Sequence, residues 1–135
     1  MLEEKLPAGV QGSAELLVGE EHTAPRVGSG KVHVLATPVM INLIEAAALA
    51  AVEHLLPSGH QSLGIHLDIS HFAATPVGMR IAATSELIGV DGRTLLFRVD
   101  ARDEKEPIGG GLHKRVVVNV VRFDQRLQKK LSMEP

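Results

Sequence analysis

TPVMINLIEAAALAAVEHLLPSG, residues 37–59, is the stretch on which the fold turns. Thr37 followed by Pro38 is the pairing expected at a helix start: a capping hydroxyl, then a residue whose missing N–H costs nothing at the first helical position. From Pro38 to Leu56 nearly every position is apolar or Ala, and Pro57-Ser58-Gly59 supplies the stop. The pattern predicts a helix of 19 residues, ~28 Å long at about 1.5 Å per residue. A helix apolar nearly all round must be buried on most sides. Asn42, Glu45, Glu53 and His54 interrupt the run, and its Ala content is high, which argues against a membrane span.

Strand patterns flank this helix. SAELLV at 13–18 reads as a first strand, and VHVLA at 32–36 as a short extended piece after a connection rich in Gly and Ser. In GIHLDISHF, Ile65, Leu67 and Ile69 alternate with His66, Asp68 and Ser70, placing the first three and His71 on the face toward the helix. Met79–Val90 reads as a strand, and Asp91-Gly92 is a hairpin signal. Leu95, Phe97, Val99 and Ala101 share one face of the next strand. Ile108–Phe123 reads as a last long strand, with Asp124 capping a short polar helix. One strand, one long helix and four strands in tandem imply an α+β domain with an antiparallel sheet. A long apolar helix wrapped by one curved sheet is the hotdog architecture. It is expected over 1–135 as a single domain with its core at about 12–126.

Composition narrows the chemistry. The 14 basic and 16 acidic residues give a net charge of -2, and three Phe are the whole FWY count, so nucleic acid and anionic membrane are not expected partners. There are no cysteines, which excludes disulfides, thiolate metal sites and a Cys nucleophile. The opening MLEEKLPAGV is too acidic for a secretory signal, and a cytoplasmic location is expected. The seven His have no metal-ligand spacing.

Five residues could carry chemistry. Glu45 is the only charged residue between Pro38 and Val52, and a buried lone carboxylate is costly unless paired or neutralised. It is either a site residue or a carboxylate satisfied at a sheet edge. His71 is either a satisfied structural histidine or a proton carrier facing that carboxylate. Thr37 is at least a helix cap, and its hydroxyl also stands where helix N–H groups favour developing negative charge. Gly64 serves turn geometry or close backbone approach to a ligand. Arg115, on one strand face with His113, is a solvated edge residue or ion pair, or else a charge orienting Glu45 or contacting a ligand phosphate.

LATPVMINLIEAAA (35–48), SLGIHLDISHFAATPVG (62–78), VDGRTLLFRVDARD (90–103) and IGGGLHKRVVVN (108–119), in that order, resemble the fluoroacetyl-CoA thioesterase family of hotdog proteins over roughly residues 12 to 126. The resemblance implies hydrolysis of small or medium acyl-CoA thioesters, with Thr37, Glu45 and His71 as the catalytic set. It points to Gly64 as a backbone contact for the thioester and to Arg115 as a supporting residue. It implies a homodimer, or a tetramer built from one, with sites at the subunit interface, and no metal or redox cofactor, CoA being part of the substrate. Members selective for fluoroacetyl-CoA have a longer segment before the catalytic Thr, with phenylalanines that form a lid. HTAPRVGSGKVHVLAT (22–37) is shorter and has no Phe, so fluoroacetyl selectivity is not expected. Two rivals are a CoA-ester binding module without turnover and a hotdog hydratase or dehydratase.

Overall fold

The computed structural model describes residues 2–135. Helix α1 (Leu2–Lys5) leads into strand β1 (Gln11–Leu17), a 3-10 turn (Glu20–His22) and helix α2 (Ala24–Val27). Helix α3 spans Thr37–Val52 and tightens into a 3-10 turn at Glu53–Leu55. Strands β2 (His60–His71), β3 (Arg80–Asp91), β4 (Thr94–Asp103) and β5 (Pro107–Asn119) follow, then helix α4 (Val120–Leu131). The five strands form one antiparallel sheet in the order β1-β3-β4-β5-β2. The α+β hotdog architecture is therefore present.

Helix α3 lies on β1 and β3 because small residues let the backbones approach. Ala47, Ala48 and Ala51 are fully buried. A Cβ on Gly12 of β1 would overlap the Ala47 carbonyl and the Ala51 amide, so only Gly fits there. Met40 and Ile44 of α3 then meet Ile81, Leu87, Leu95, Phe97 and Val99 of the sheet. Leu95, Phe97, Val99 and Ala101 share the inward face of β4, as their alternation requires. Emptying the Phe97 position would cost about 3–5 kcal/mol.

Several sequence expectations change. The helix cap is Ala36, with no side-chain cap bond, and Thr37 is the first helical residue. The Thr37 hydroxyl is engaged elsewhere, as described below. The α-helix has 16 residues rather than 19, and Asn42, Ala46, Leu49 and Ala50 are exposed, so half of its surface is open in this chain. Thr37–Leu55 is long and apolar enough to cross a membrane by length and composition, yet its buried face is packed on the sheet. VHVLA forms no strand beyond a bridge between Thr23 and Leu35. β5 ends at Asn119, whose side chain accepts from the Arg122 amide at 3.1 Å and caps α4, so VVRF is helical and Asp124 is not the cap. The hairpin after β3 turns on Gly92-Arg93, with Gly92 at φ 61°.

β2 is an edge strand, and its register slips between Gly64 and His66. The bulge takes Ile65 out of the alternation, so Ile65 does not pack on the helix and is 54% exposed. Leu67 pairs with His113 and shares its face, yet it is 44% exposed. Ile69 and His71 keep the inward face, opposite Gly111 and Gly109.

Candidate active site

Thr37 and His71 meet at the N-terminal end of α3. The Thr37 hydroxyl lies 2.7 Å from Nδ1 of His71. His71 is brought there by β2, whose last residues cross the Gly109 backbone. A Cβ on Gly109 would fall 2.7 Å from Met40 Sδ and 2.6 Å from the Ser70 carbonyl, so this crossing needs Gly. Burial lowers the His71 pKa. The ring is therefore neutral at pH 7. Its other nitrogen, Nε2, is buried and has no protein partner. Such a nitrogen is costly to leave empty-handed and suits a group that arrives from outside the chain. Beside the pair opens a cleft of about 310 Å³ whose walls include Ala24, Val34, Leu35, Phe72 and Ala73.

Glu45 lies two helical turns further along α3, roughly 12 Å from Thr37 by helix rise. Its carboxylate is not a lone buried charge: Arg115 Nη1 donates to Glu45 Oε2 at 3.2 Å, and the side chain is 35% exposed. Gly64 stands against it. A Cβ there would be 2.5 Å from Glu45 Oε2 and 3.1 Å from His113 Cε1. The absence of a side chain at 64 thus leaves the carboxylate room and exposes backbone beside it.

Arg115 is buried and saturated. Its Nε donates to Ser62 Oγ at 2.8 Å, Nη2 to the Ser62 carbonyl at 3.1 Å, and Nη1 to His113 Nε2 at 3.1 Å as well as to Glu45. A guanidinium can only donate, so His113 Nε2 must accept. His113 Nδ1 then carries the proton and donates to the His66 carbonyl at 2.9 Å. That tautomer is neutral, and burial, partly offset by the His66 carbonyl, lowers the His113 pKa in agreement. Ser62 Oγ in turn donates to Glu53 Oε2 at 2.9 Å, and the Ser62 amide donates to Glu53 Oε1 at 2.5 Å. Glu53 thereby aims the serine proton away from Arg115.

The five residues singled out from sequence thus fall into two groups. Thr37 pairs with His71, and Glu45 clusters with Gly64 and Arg115. Arg115 is buried and ion-paired with Glu45 rather than solvated at an edge. Sequence reasoning missed Ser62 and Glu53 and gave His113 no role. Strand parity could have found the first and last, since Ser62 shares a face with Gly64 and His113 with Arg115. Nothing in the pattern marks Glu53. Among the described residues, no three His, Asp or Glu side chains converge as a metal site requires.

A third polar group braces the Thr37 approach. Asp103 Oδ2 accepts from the buried Thr75 hydroxyl at 2.9 Å, and Oδ1 accepts from the Lys105 and Glu106 amides at 2.8 and 3.0 Å. Burial pushes the Asp103 pKa up, but these bonds and Arg102 outweigh it and hold the carboxyl below its ordinary value. The Thr75 carbonyl accepts from the Leu35 amide at 2.9 Å, tying the segment before α3 to the sheet.

The sequence profile described as fluoroacetyl-CoA-specific thioesterase matches residues 18–121. A fluoroacetyl-CoA thioesterase of Streptantibioticus cattleyicolor is 39% identical over 97 residues, covering 72% of this chain and 70% of that protein. A solved fluoroacetyl-CoA thioesterase structure superposes with a TM-score of 0.86 at 31% identity, over 93% of this chain and 97% of the other. A thioesterase superfamily member from Thermus thermophilus gives a TM-score of 0.86 at 26% identity, over 96% and 98%.

Proposed function

Because the chain belongs to the fluoroacetyl-CoA-specific thioesterase family and is a thioesterase by that membership, we propose that it hydrolyses small or medium acyl-CoA thioesters to free acid and CoA. The observation that carries the site assignment is the 2.7 Å contact between Thr37 and neutral His71 at a helix N-terminus, with His71 Nε2 unpartnered. Thr37 and the nearby N–H groups polarise the thioester carbonyl. Glu45, held by Arg115, either takes a proton from the attacking water or attacks that carbon itself, in which case water then hydrolyses the acyl–Glu45 anhydride to the free acid. The C–S bond breaks, and the proton given up by the water reaches the CoA sulfur through His71. Release of free thiol from a panel of acyl-CoAs tests this. A non-catalytic binding module or a hydratase would release none.

The 2.7 Å contact also favours a second assignment within the same reaction. His71 takes the Thr37 proton as Thr37 attacks, the C–S bond breaks, that proton passes to the departing CoA sulfur, and water later hydrolyses the acyl ester. Mass spectrometry of a rapidly quenched reaction separates the two: acyl mass on the Thr37 peptide supports this assignment, and acyl mass on the Glu45 peptide or on neither supports the first.

A homodimer completes the site. The free edge of β2 carries exposed Leu63, Ile65 and Leu67, a flank that unpaired strands seldom leave open. If β2 pairs antiparallel with its own copy about a two-fold axis near Leu67–Asp68, His71 of one chain falls opposite Gly64 of the other. That register brings the Thr37–His71 pair to the partner's Glu45. Light scattering at micromolar concentration is expected to give a dimer or a tetramer built from it, and a monomer sinks the shared site.

The cleft beside Thr37 and His71 bears on selectivity. The segment from Ala24 to Leu35 covers it with small and aliphatic residues, and the one aromatic at its rim, Phe72, comes from the far side of the sequence. We read this lining as offering no fluorine-sensing lid. Fluoroacetyl-CoA and acetyl-CoA are expected to differ in kcat/KM by less than ~100-fold, about 2.7 kcal/mol of differential transition-state binding. A larger preference in a competition assay overturns this.

A further inference from the structure

Beyond the reacting groups, the end of the sheet near His60 holds a cluster of cations with no assigned role. Arg93 from the β3–β4 hairpin and Arg122 and Arg126 from α4 converge with His60 on a cleft of about 190 Å³. Arg122 and Arg126 are four residues apart and lie on one helix face. Among the described residues none of the three arginines has a carboxylate partner, whereas Arg98 and Arg115 do. The nearest acidic residues in sequence, Asp91 and Asp124, do not line the cleft. In a chain of net charge -2, three unpaired guanidinium groups around one hollow are a local excess that invites an anion. Arginine forks suit phosphate oxygens.

We infer that Arg93, Arg122, Arg126 and His60 bind the phosphates of the CoA nucleotide. The inference rests on the CoA-thioester reading above and adds to it where the far end of the substrate sits. His60, Ser62 and Gly64 share one face of β2, paired with Asn119, Val117 and Arg115. His60 is therefore roughly 13 Å along the strand from Gly64, at about 3.3 Å per residue. CoA carries its phosphates at the end remote from the sulfur, and the extended pantetheine arm spans that separation. A second cleft of about 280 Å³ adjoins the first, sharing His60 and Arg93. Its Leu2, Pro57 and Val117 offer an apolar bed for the purine, with Lys5 at its side.

Calorimetric titration of the full chain with CoA, adenosine 3′,5′-bisphosphate and pantetheine tests the site without relying on turnover. Wild type is expected to bind the bisphosphate saturably. R93Q/R122Q/R126Q is expected to lose at least ~10-fold in affinity for CoA and to bind pantetheine as wild type does. The CoA loss should shrink as salt rises. Equal CoA affinity in wild type and variant overturns the proposal. If the triple variant fails to melt cooperatively, single R122Q and R126Q variants on the exposed helix face carry the same comparison. Weakened CoA binding in a protein that releases no thiol from any acyl-CoA leaves the phosphate site standing and removes the hydrolase reading. Undiminished CoA binding in a protein that does hydrolyse acyl-CoA does the reverse.

Discussion

Glu45→Gln is expected to lower turnover of the best acyl-CoA substrate by at least ~100-fold, about 2.7 kcal/mol of lost transition-state stabilisation. Gln has the size of Glu, and its amide oxygen can still accept from Arg115 Nη1, so the 3.2 Å contact survives in form. What disappears is the negative charge, and with it both nucleophilicity and basicity at that atom. The fold should tolerate the change, because the side chain is one-third exposed and makes no core contact that Gln cannot make. Arg115 is left with one fewer anionic neighbour, which a melting curve will register. Steady-state kinetics on a variant shown to melt cooperatively decides the matter. Near wild-type kcat in that protein removes Glu45 from the chemistry and leaves it as a counter-ion for Arg115.

The site was legible from sequence to the degree that it obeyed periodicity. His71 could be placed on the helix side of β2 by counting in twos, because the intervening bulge lies before Leu67 and leaves the parity of 67, 69 and 71 intact. The same count failed for Ile65, which sits in the bulge itself. Glu45 stood out because no other charge interrupts the apolar run, yet its partner, 70 residues away on β5, depends on strand order that no local pattern carries. Thr37 was read as a cap because capping is what a hydroxyl before Pro usually does. The hydrogen bond to His71 that displaces that role joins residues 34 apart and exists only once the sheet has formed. The end of β5 was misplaced for a related reason: Val120 and Val121 have strand propensity, and Asn119 overrides it by capping α4. Glu53 carried no signal, since its function in the network is to hold Ser62, which in turn holds Arg115.

His71→Ala is expected to cost ~10²–10⁴-fold in turnover, the range for losing a positioned acid–base group, while His66→Ala changes it by no more than about threefold. The contrast follows from the register. His71 faces the helix and touches Thr37. His66 pairs with Lys114 on the opposite face, and only its backbone carbonyl, which Ala retains, serves His113. The pH profile supplies a readout that misfolding cannot imitate. Burial lowers the His71 pKa below its ordinary value near 6.5, so the neutral ring persists at and above that pH and is lost only below it. For kcat/KM the acid limb should therefore fall below pH 6.5. The linkage has the same sign for stability. A histidine with a depressed folded-state pKa favours folding fully above the unfolded value, and that contribution drains away as pH falls toward the folded value. His113, shifted in the same direction, adds to the drain. Melting temperature should therefore be flat above pH 7 and drop as pH falls below 6.5, less steeply in His71→Ala, which has one such group fewer. An acid limb centred above pH 7, or a His66→Ala loss equal to that of His71→Ala, would show that the proton is carried elsewhere.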